Sequence, residues 1–194
     1  MPRQESNIPS KSAGDTLTHA EFNSLNNAFN NNSLYHSKGF VDYNNTGSDI
    51  SLVADTWTDI PNNAAGSFTN TAYSPDDVGE FDLIDTSNGH LDFTSLTLGS
   101  ELLIRSDVTV TPGTNNALFE LRYLLGDGAG QYPLLFWSER LDSGSGLGYQ
   151  RVVPFPIYMG DTNTRDNPGR LQAKLSSSGT LYNAGMYISI VDRS

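Results

Sequence analysis

The chain contains no cysteine, which excludes a disulfide framework, a thiolate metal site and a cysteine nucleophile. It has no Lys or Arg between Asp42 and Glu101, and only 17% of its residues are charged. Long apolar runs are missing too: the longest, Val152 to Met159, is broken by Pro154 and Pro156. Nothing therefore reads as a membrane span, and the opening Met1-Pro2-Arg3-Gln4-Glu5-Ser6 lacks the apolar core of a signal peptide. What is present instead is 18 Gly, 9 Pro and many Ser, Thr and Asn in 194 residues. That composition predicts an all-β protein with long polar loops, long enough for one well-buried domain and an appendage.

The net charge of -11 is confined to one stretch. Residues 1–40 balance Arg3, Lys11 and Lys38 against Glu5, Asp15 and Glu21, and residues 105–194 balance eight basic against eight acidic side chains, so all eleven surplus negatives lie between Asp42 and Glu101. The plain reading is a solvated acidic surface; the sharper one is a contact with a basic partner or with cations. Either way, no Lys/Arg patch in the sequence suits phosphates, and nucleic acid is not an expected partner.

The strongest pattern runs from Glu101 to Leu125. Leu102, Ile104, Val108 and Val110 share one parity while Arg105, Asp107, Thr109 and Thr111 share the other, a period of two with one face buried. After Pro112-Gly113-Thr114-Asn115-Asn116 the alternation resumes with Ala117, Phe119, Leu121, Tyr123 and Leu125. This predicts a β-hairpin with a five-residue loop. Further strands are expected over 39–43, over 50–60 with Leu52, Ala54 and Trp57 inward, over 80–84 and 90–93 as a short pair, over 133–141 and over 170–175. Pro154 and Pro156 remove two donors from one side of the strand around 152–159, which places it at a sheet edge. Leu181 to Val191 is apolar on one face and half-apolar on the other, as suits a central strand or one buried against another subunit. Short strands with frequent turns point to a jelly-roll β-sandwich over residues 41–194.

Residues 1–40 read as an N-terminal anchoring region: an extended arm followed by one helix over about 19–31. Thr18 and Glu21 form a capping box, with Leu17 and Phe22 as a hydrophobic staple. The apolar seam is only Phe22, Leu25 and Phe29. The remaining positions include Asn23, Asn26, Asn27, Asn30 and Asn31, poor helix formers, so the helix needs something to dock on. It packs either on its own sandwich or against other copies along the seam, and self-association or docking on a larger assembly is the favoured reading.

Two stretches carry a resemblance. Gly14-Asp15-Thr16-Leu17-Thr18-His19-Ala20-Glu21-Phe22-Asn23, followed by the Asn-rich helix, resembles the N-terminal segment of tailed-bacteriophage fibre and virion accessory proteins. The stretches Asp107-Val108-Thr109-Val110-Thr111-Pro112, Ile157-Tyr158-Met159-Gly160-Asp161, Asp166-Asn167-Pro168-Gly169 and Gly179-Thr180-Leu181 resemble the C-terminal domain of a group of phage virion proteins. That domain is similar to the trimeric tumour-necrosis-factor-like jelly rolls. The resemblance covers about half the chain and leaves residues 33–105 outside it. It implies a homotrimer carried in the virion, made in the host cytoplasm and held by a major capsid protein or a tail adaptor. Two jobs fit: a capsid decoration or cement protein, and a short tail fibre whose loops at Asp127, Gly128 and Gly130 and at Asp142 and Ser145 meet a host glycan.

Chemistry is sparse. His19, His36 and His90 have no ligand spacing, and neither Asp76-Asp77 with Glu80 nor Asp161 with Asp166 matches a calcium-loop pattern, so no metal or cofactor is expected. Gly126-Asp127-Gly128-Ala129-Gly130 lacks the Gly-Lys-Ser/Thr ending of a phosphate loop. Asp82, Asp85, Asp92, Asp107 and Glu120 could pair as the carboxylates of a polysaccharide-degrading enzyme, and acidic residues on wet strand faces explain them equally well. No nucleophile-elbow sequence is present. The expectation is a non-enzymatic structural protein.

Overall fold

The computed structural model describes residues 18–23, 25, 38–142 and 144–193. Its strands are β1 (Lys38–Asn44), β2 (Ile50–Leu52), β3 (Thr58–Asp59), β4 (Ile84–Asp85), β5 (His90–Leu91), β6 (Glu101–Pro112), β7 (Ala117–Leu125), β8 (Tyr132–Leu141), β9 (Tyr149–Tyr158), β10 (Arg170–Leu175) and β11 (Gly179–Val191). One sheet runs β1-β11-β6-β9 with β2 also paired to β11, and the other runs β3-β10-β7-β8. Counted one to eight in chain order, the major strands run 1-8-3-6 in the first sheet and 2-7-4-5 in the second. This is the strand order of a jelly roll.

The strands around residues 101–125 are where expected, but they do not form a hairpin. β6 pairs with β11 and β9, and β7 pairs with β10 and β8, so the two lie in opposite sheets. The four residues between them, 113–116, carry the chain across the sandwich. The opposed phases of their alternation let each strand aim its apolar parity at the other: Ile104, Val108 and Val110 meet a core that includes Phe119, Leu121 and Tyr123, all at most 1% exposed. Burying a side chain of this size is worth about 1.5–3 kcal/mol. In the same interior the hydroxyls of Ser106 and Tyr123 lie 2.7 Å apart, linking the two sheets and satisfying two polar groups that no water reaches. Burial pushes the Tyr123 phenol well above its ordinary pKa.

β9 is an edge strand, as its prolines require, and β11 is central, between β1 and β6. Other expectations need correction. The 50–60 stretch is broken into β2 and β3 by a turn in which Asp55 takes φ 57, and Ala54 is exposed there. The 80–93 pair shrinks to two two-residue strands, because Asp85 and Asp92 accept local hydrogen bonds that close turns. Lys38, Gly39 and Phe40 belong to the sandwich.

The long loops of residues 61–100 pack along the β1 side, burying Val78, Leu83, Phe93 and Leu96. A group of buried asparagines ties them down. Asn62 donates to Tyr43 O, Asn45 to Asn183 O and Asn183 to Pro61 O, at 2.8–2.9 Å. Asn183 also accepts from Gly185 N across a β-bulge in β11. Gly185 has φ 146, and a Cβ there would stand 2.5 Å from Tyr43 O. Replacing Gly185 with Ala should destabilise the fold by about 1–3 kcal/mol, the usual cost of a strained backbone position, read as a lower urea midpoint with unchanged slope.

Candidate functional site

The outward face of the five-stranded sheet is unusually apolar. Along β9 it presents Val152, Pro154, Pro156 and Tyr158, and the register sets Pro156 beside Leu103 and Tyr158 beside Glu101. Leu103, Val152 and Tyr158 are 45%, 49% and 69% exposed. Across β11 and β1 the same face continues through Val191, Tyr187 and Phe40. The Phe40 ring lies 5.1 Å from that of Tyr73 and 5.5 Å from that of Tyr187. Apolar strips rimmed by polar groups are a common form of interaction site.

One charged cluster interrupts it. Asp107 accepts from Arg105 at 3.2 Å, and the Arg105 guanidinium lies 5.4 Å from the Tyr187 ring centre, with Asp42 beyond Tyr187 on β1. Burial raises the Asp42 carboxyl above its usual range; Arg105 opposes the shift and Asp107 adds to it. Asp107 alone pairs with the guanidinium.

At one end of this face lies a groove of about 560 Å³, floored by Leu103, Pro156, Tyr158 and Val191, with the Arg193–Glu101 ion pair at 3.3 Å among its lining. Lys38, the first residue of β1, pairs with Val191, so the chain enters the sandwich at the groove end. Upstream, residues 19–23 are helical and the capping box is formed: Thr18 N donates to Glu21 at 2.7 Å and Glu21 N donates to the Thr18 hydroxyl at 3.2 Å. Phe22 and Leu25 are 56% and 40% exposed, so neither is sunk into the sandwich. Leu17 and Phe29 lie outside the described residues.

The two candidate recognition loops are not brought together. β8 runs between them, so they sit at opposite ends of the sandwich. Asp127, Gly128 and Gly130 are at the groove end, where Asn163 braces the loop by donating to Gly130 O at 3.0 Å. The other loop is at the far end, where Ser145 donates through its backbone to Asn115 at 2.7 Å and through its hydroxyl to Gly113 O at 2.8 Å, and where Asp142 follows β8.

The acidic candidates are dispersed. Asp107 and Glu120 project from opposite sheets, Glu120 in a 2.6 Å pair with Lys174. Asp82 accepts from Gly79 N, Asp85 from Ser87 and Asp92 from Thr94, each inside its own turn. Ser87's hydrogen bonds hold the Asp85 carboxyl below its usual range. Asp161 accepts from Thr164 N and Asp166 from Arg165. Three of the eleven surplus negatives, Asp82, Asp85 and Asp92, are therefore turn chemistry. Among the described residues, no three His, Asp or Glu are placed to hold a metal ion, and no helix is long and apolar enough to cross a membrane.

No family model matches the chain, and no curated protein matches it. Among solved structures, the Eiger TNF of S. frugiperda is 10% identical, covering 81% of this chain and 92% of its own, with a TM-score of 0.42. The PRD1 vertex protein P5 is 12% identical, over 80% and 98%, with a TM-score of 0.33. A chain of the Israeli acute paralysis virus particle is 13% identical, over 97% and 89%, also at 0.33. At these TM-scores the likeness adds no weight, and the jelly roll rests on the strand order itself.

Because the Asp42 carboxyl binds its proton more tightly folded than unfolded, stability falls as pH rises from the ordinary carboxylate pKa through the raised one. Asp42→Asn removes that penalty. Its thermal midpoint should exceed the parent's at pH 7, and the gap should close as pH drops through the carboxylate range.

Proposed function

We infer that this protein is a non-enzymatic structural component of a bacteriophage particle, a trimeric capsid decoration or cement protein mounted through residues 1–37. The observation that carries the reading is the apolar outward face of β1-β11-β6-β9, exposed in the single chain and continuous with the end at which the chain enters. Covering it with the same face or edge of other copies removes Leu103, Val152 and Tyr158 from water. Each fully buried apolar side chain of that size is worth about 1.5–3 kcal/mol. Three copies around an axis would also bring three helices together, so that Phe22 and Leu25 could share a seam with Phe29 or grip the shell. The sequence resemblance to phage virion accessory proteins favours this host structure over a secreted or cellular one.

A cement protein that binds only the assembled shell stabilises it by mass action. At a free concentration one hundred times its Kd, that amounts to about 2.7 kcal/mol per site. No enzymatic step is needed, and the dispersed carboxylates agree with that.

A second reading, a short tail fibre that meets a host glycan, is favoured by one feature: the Asp142 and Ser145 loop lies at the end opposite the chain's point of attachment. Under it, that loop with Gly113 and Asn115 faces the host, whereas Asp127, Gly128 and Gly130 face the mount.

Leu103→Glu with Val152→Glu should turn the trimer into a folded monomer by sedimentation, and a parent that is already monomeric would refute the assembly. Phe22→Ala, Leu25→Ala and Phe29→Ala together should leave the sandwich's thermal midpoint unchanged but abolish incorporation into particles. Imaging of labelled protein separates the two jobs, since decoration places copies across the shell and a fibre places them at the tail.

A further inference from the structure

The opposite face of the molecule has a different character. The outward positions of β3, β7, β8 and β10 hold Arg122, Arg140, Arg170 and Lys174 against only Asp59 and Glu120, in a chain whose net charge is -11. Trp57, just ahead of β3, lies among them, with the Arg122 guanidinium 4.1 Å and the Lys174 ammonium 4.8 Å from its ring centre. A relay fixes the group: Arg122 Nε donates to Gln172 at 2.8 Å and Gln172 donates to Asp59 at 2.6 Å.

The relay leaves donors unspent. Among the described residues, nothing accepts a hydrogen bond from either terminal nitrogen of Arg122, and Arg170 has only Asp59, at 3.9 Å. Lys174 is satisfied by Glu120 at 2.6 Å. Arg122 and Arg170 therefore stand on the outward face of neighbouring strands, Arg170 with one long ion pair and Arg122 with none among the described residues, and Leu135, opposite Arg122, is 54% exposed. Burial, and then Arg170, disfavour the charge on Arg122, and an incoming anion would offset the repulsion from Arg170.

We propose that this face, centred on Trp57, Arg122 and Arg170, is a docking surface for an acidic polypeptide segment of a partner protein. The guanidinium fork matches a carboxylate in two parallel hydrogen bonds. Trp and Arg are among the residues in which interface hot spots are enriched. The surface is a sheet face and not a cleft, which suits a protein better than a small ligand, since small ligands favour concave sites. The inference does not rest on the proposed virion role, because neither the apolar face nor the helix takes part.

The test is a titration of the full chain with a ten-residue poly-L-glutamate peptide, following the indole N–H resonance of Trp57, with Trp137 as internal reference. The Trp57 resonance should shift and that of Trp137 should not, and raising the salt should weaken binding as screening demands. Arg122→Gln with Arg170→Gln should weaken it at least tenfold, whereas Arg193→Gln, just past the end of β11 in the other sheet, should leave it unchanged. Should the double variant fail to fold, Arg170→Gln alone, which loses only a long ion pair, should still weaken binding severalfold. A peptide that does not shift Trp57, an affinity the arginine variants do not alter, or binding of an oligouronate in place of the peptide would each overturn the proposal.

Discussion

Everything in this molecule depends on β6 and β7 meeting across the interior instead of side by side. Each has a single apolar parity, and neither could bury it within its own sheet. By crossing between sheets over four residues the chain sets Ile104, Val108 and Val110 into the same core as Phe119, Leu121 and Tyr123. Ordering a residue's backbone costs about 1–2 kcal/mol, and this inter-sheet burial is the main term that offsets it. The remaining strands extend those two surfaces: β11 and β9 flank β6, and β10 and β8 flank β7.

Once the inner faces are spent on each other, the outer faces are free to differ, and they do. One carries Leu103, Val152, Pro156 and Tyr158; the other carries paired and unpaired arginines around Trp57. The loops of residues 61–100 form a third surface along the β1 side, acidic because its turns are closed by Asp and Asn side chains. The asparagines at 45, 62 and 183 do inside the protein what those aspartates do outside: each supplies a hydrogen bond where the backbone leaves regular pairing.

The long strands were legible because period-two alternation is local, and the edge position of β9 was legible because a missing N–H is a property of proline alone. The jelly-roll class followed from the number and spacing of such segments. Pairing was not legible. A five-residue loop fits a hairpin and a sheet-to-sheet crossing equally well, and the choice is made by β10 and β11, far along the chain. Trp57 escaped for the same reason, since its neighbours Arg122 and Lys174 come from strands 65 and more residues away. The capping box at Thr18 and Glu21 was readable from spacing, as short-range hydrogen bonds are. The two loops around Asp127 and Ser145 looked alike in composition, and only the passage of β8 between them assigns them to opposite poles.

The prolines of β9 also bear on whether a further strand can add to its sheet. Positions 154 and 156 stay in register with β6 although neither can donate a hydrogen bond, so the donors they lack are those that would have pointed away from the sheet. Beside them, Arg151 turns inward to Glu139. The border that β9 presents therefore offers two fewer handholds to any further strand, and that side of the sheet is blunted against extension by its own sequence.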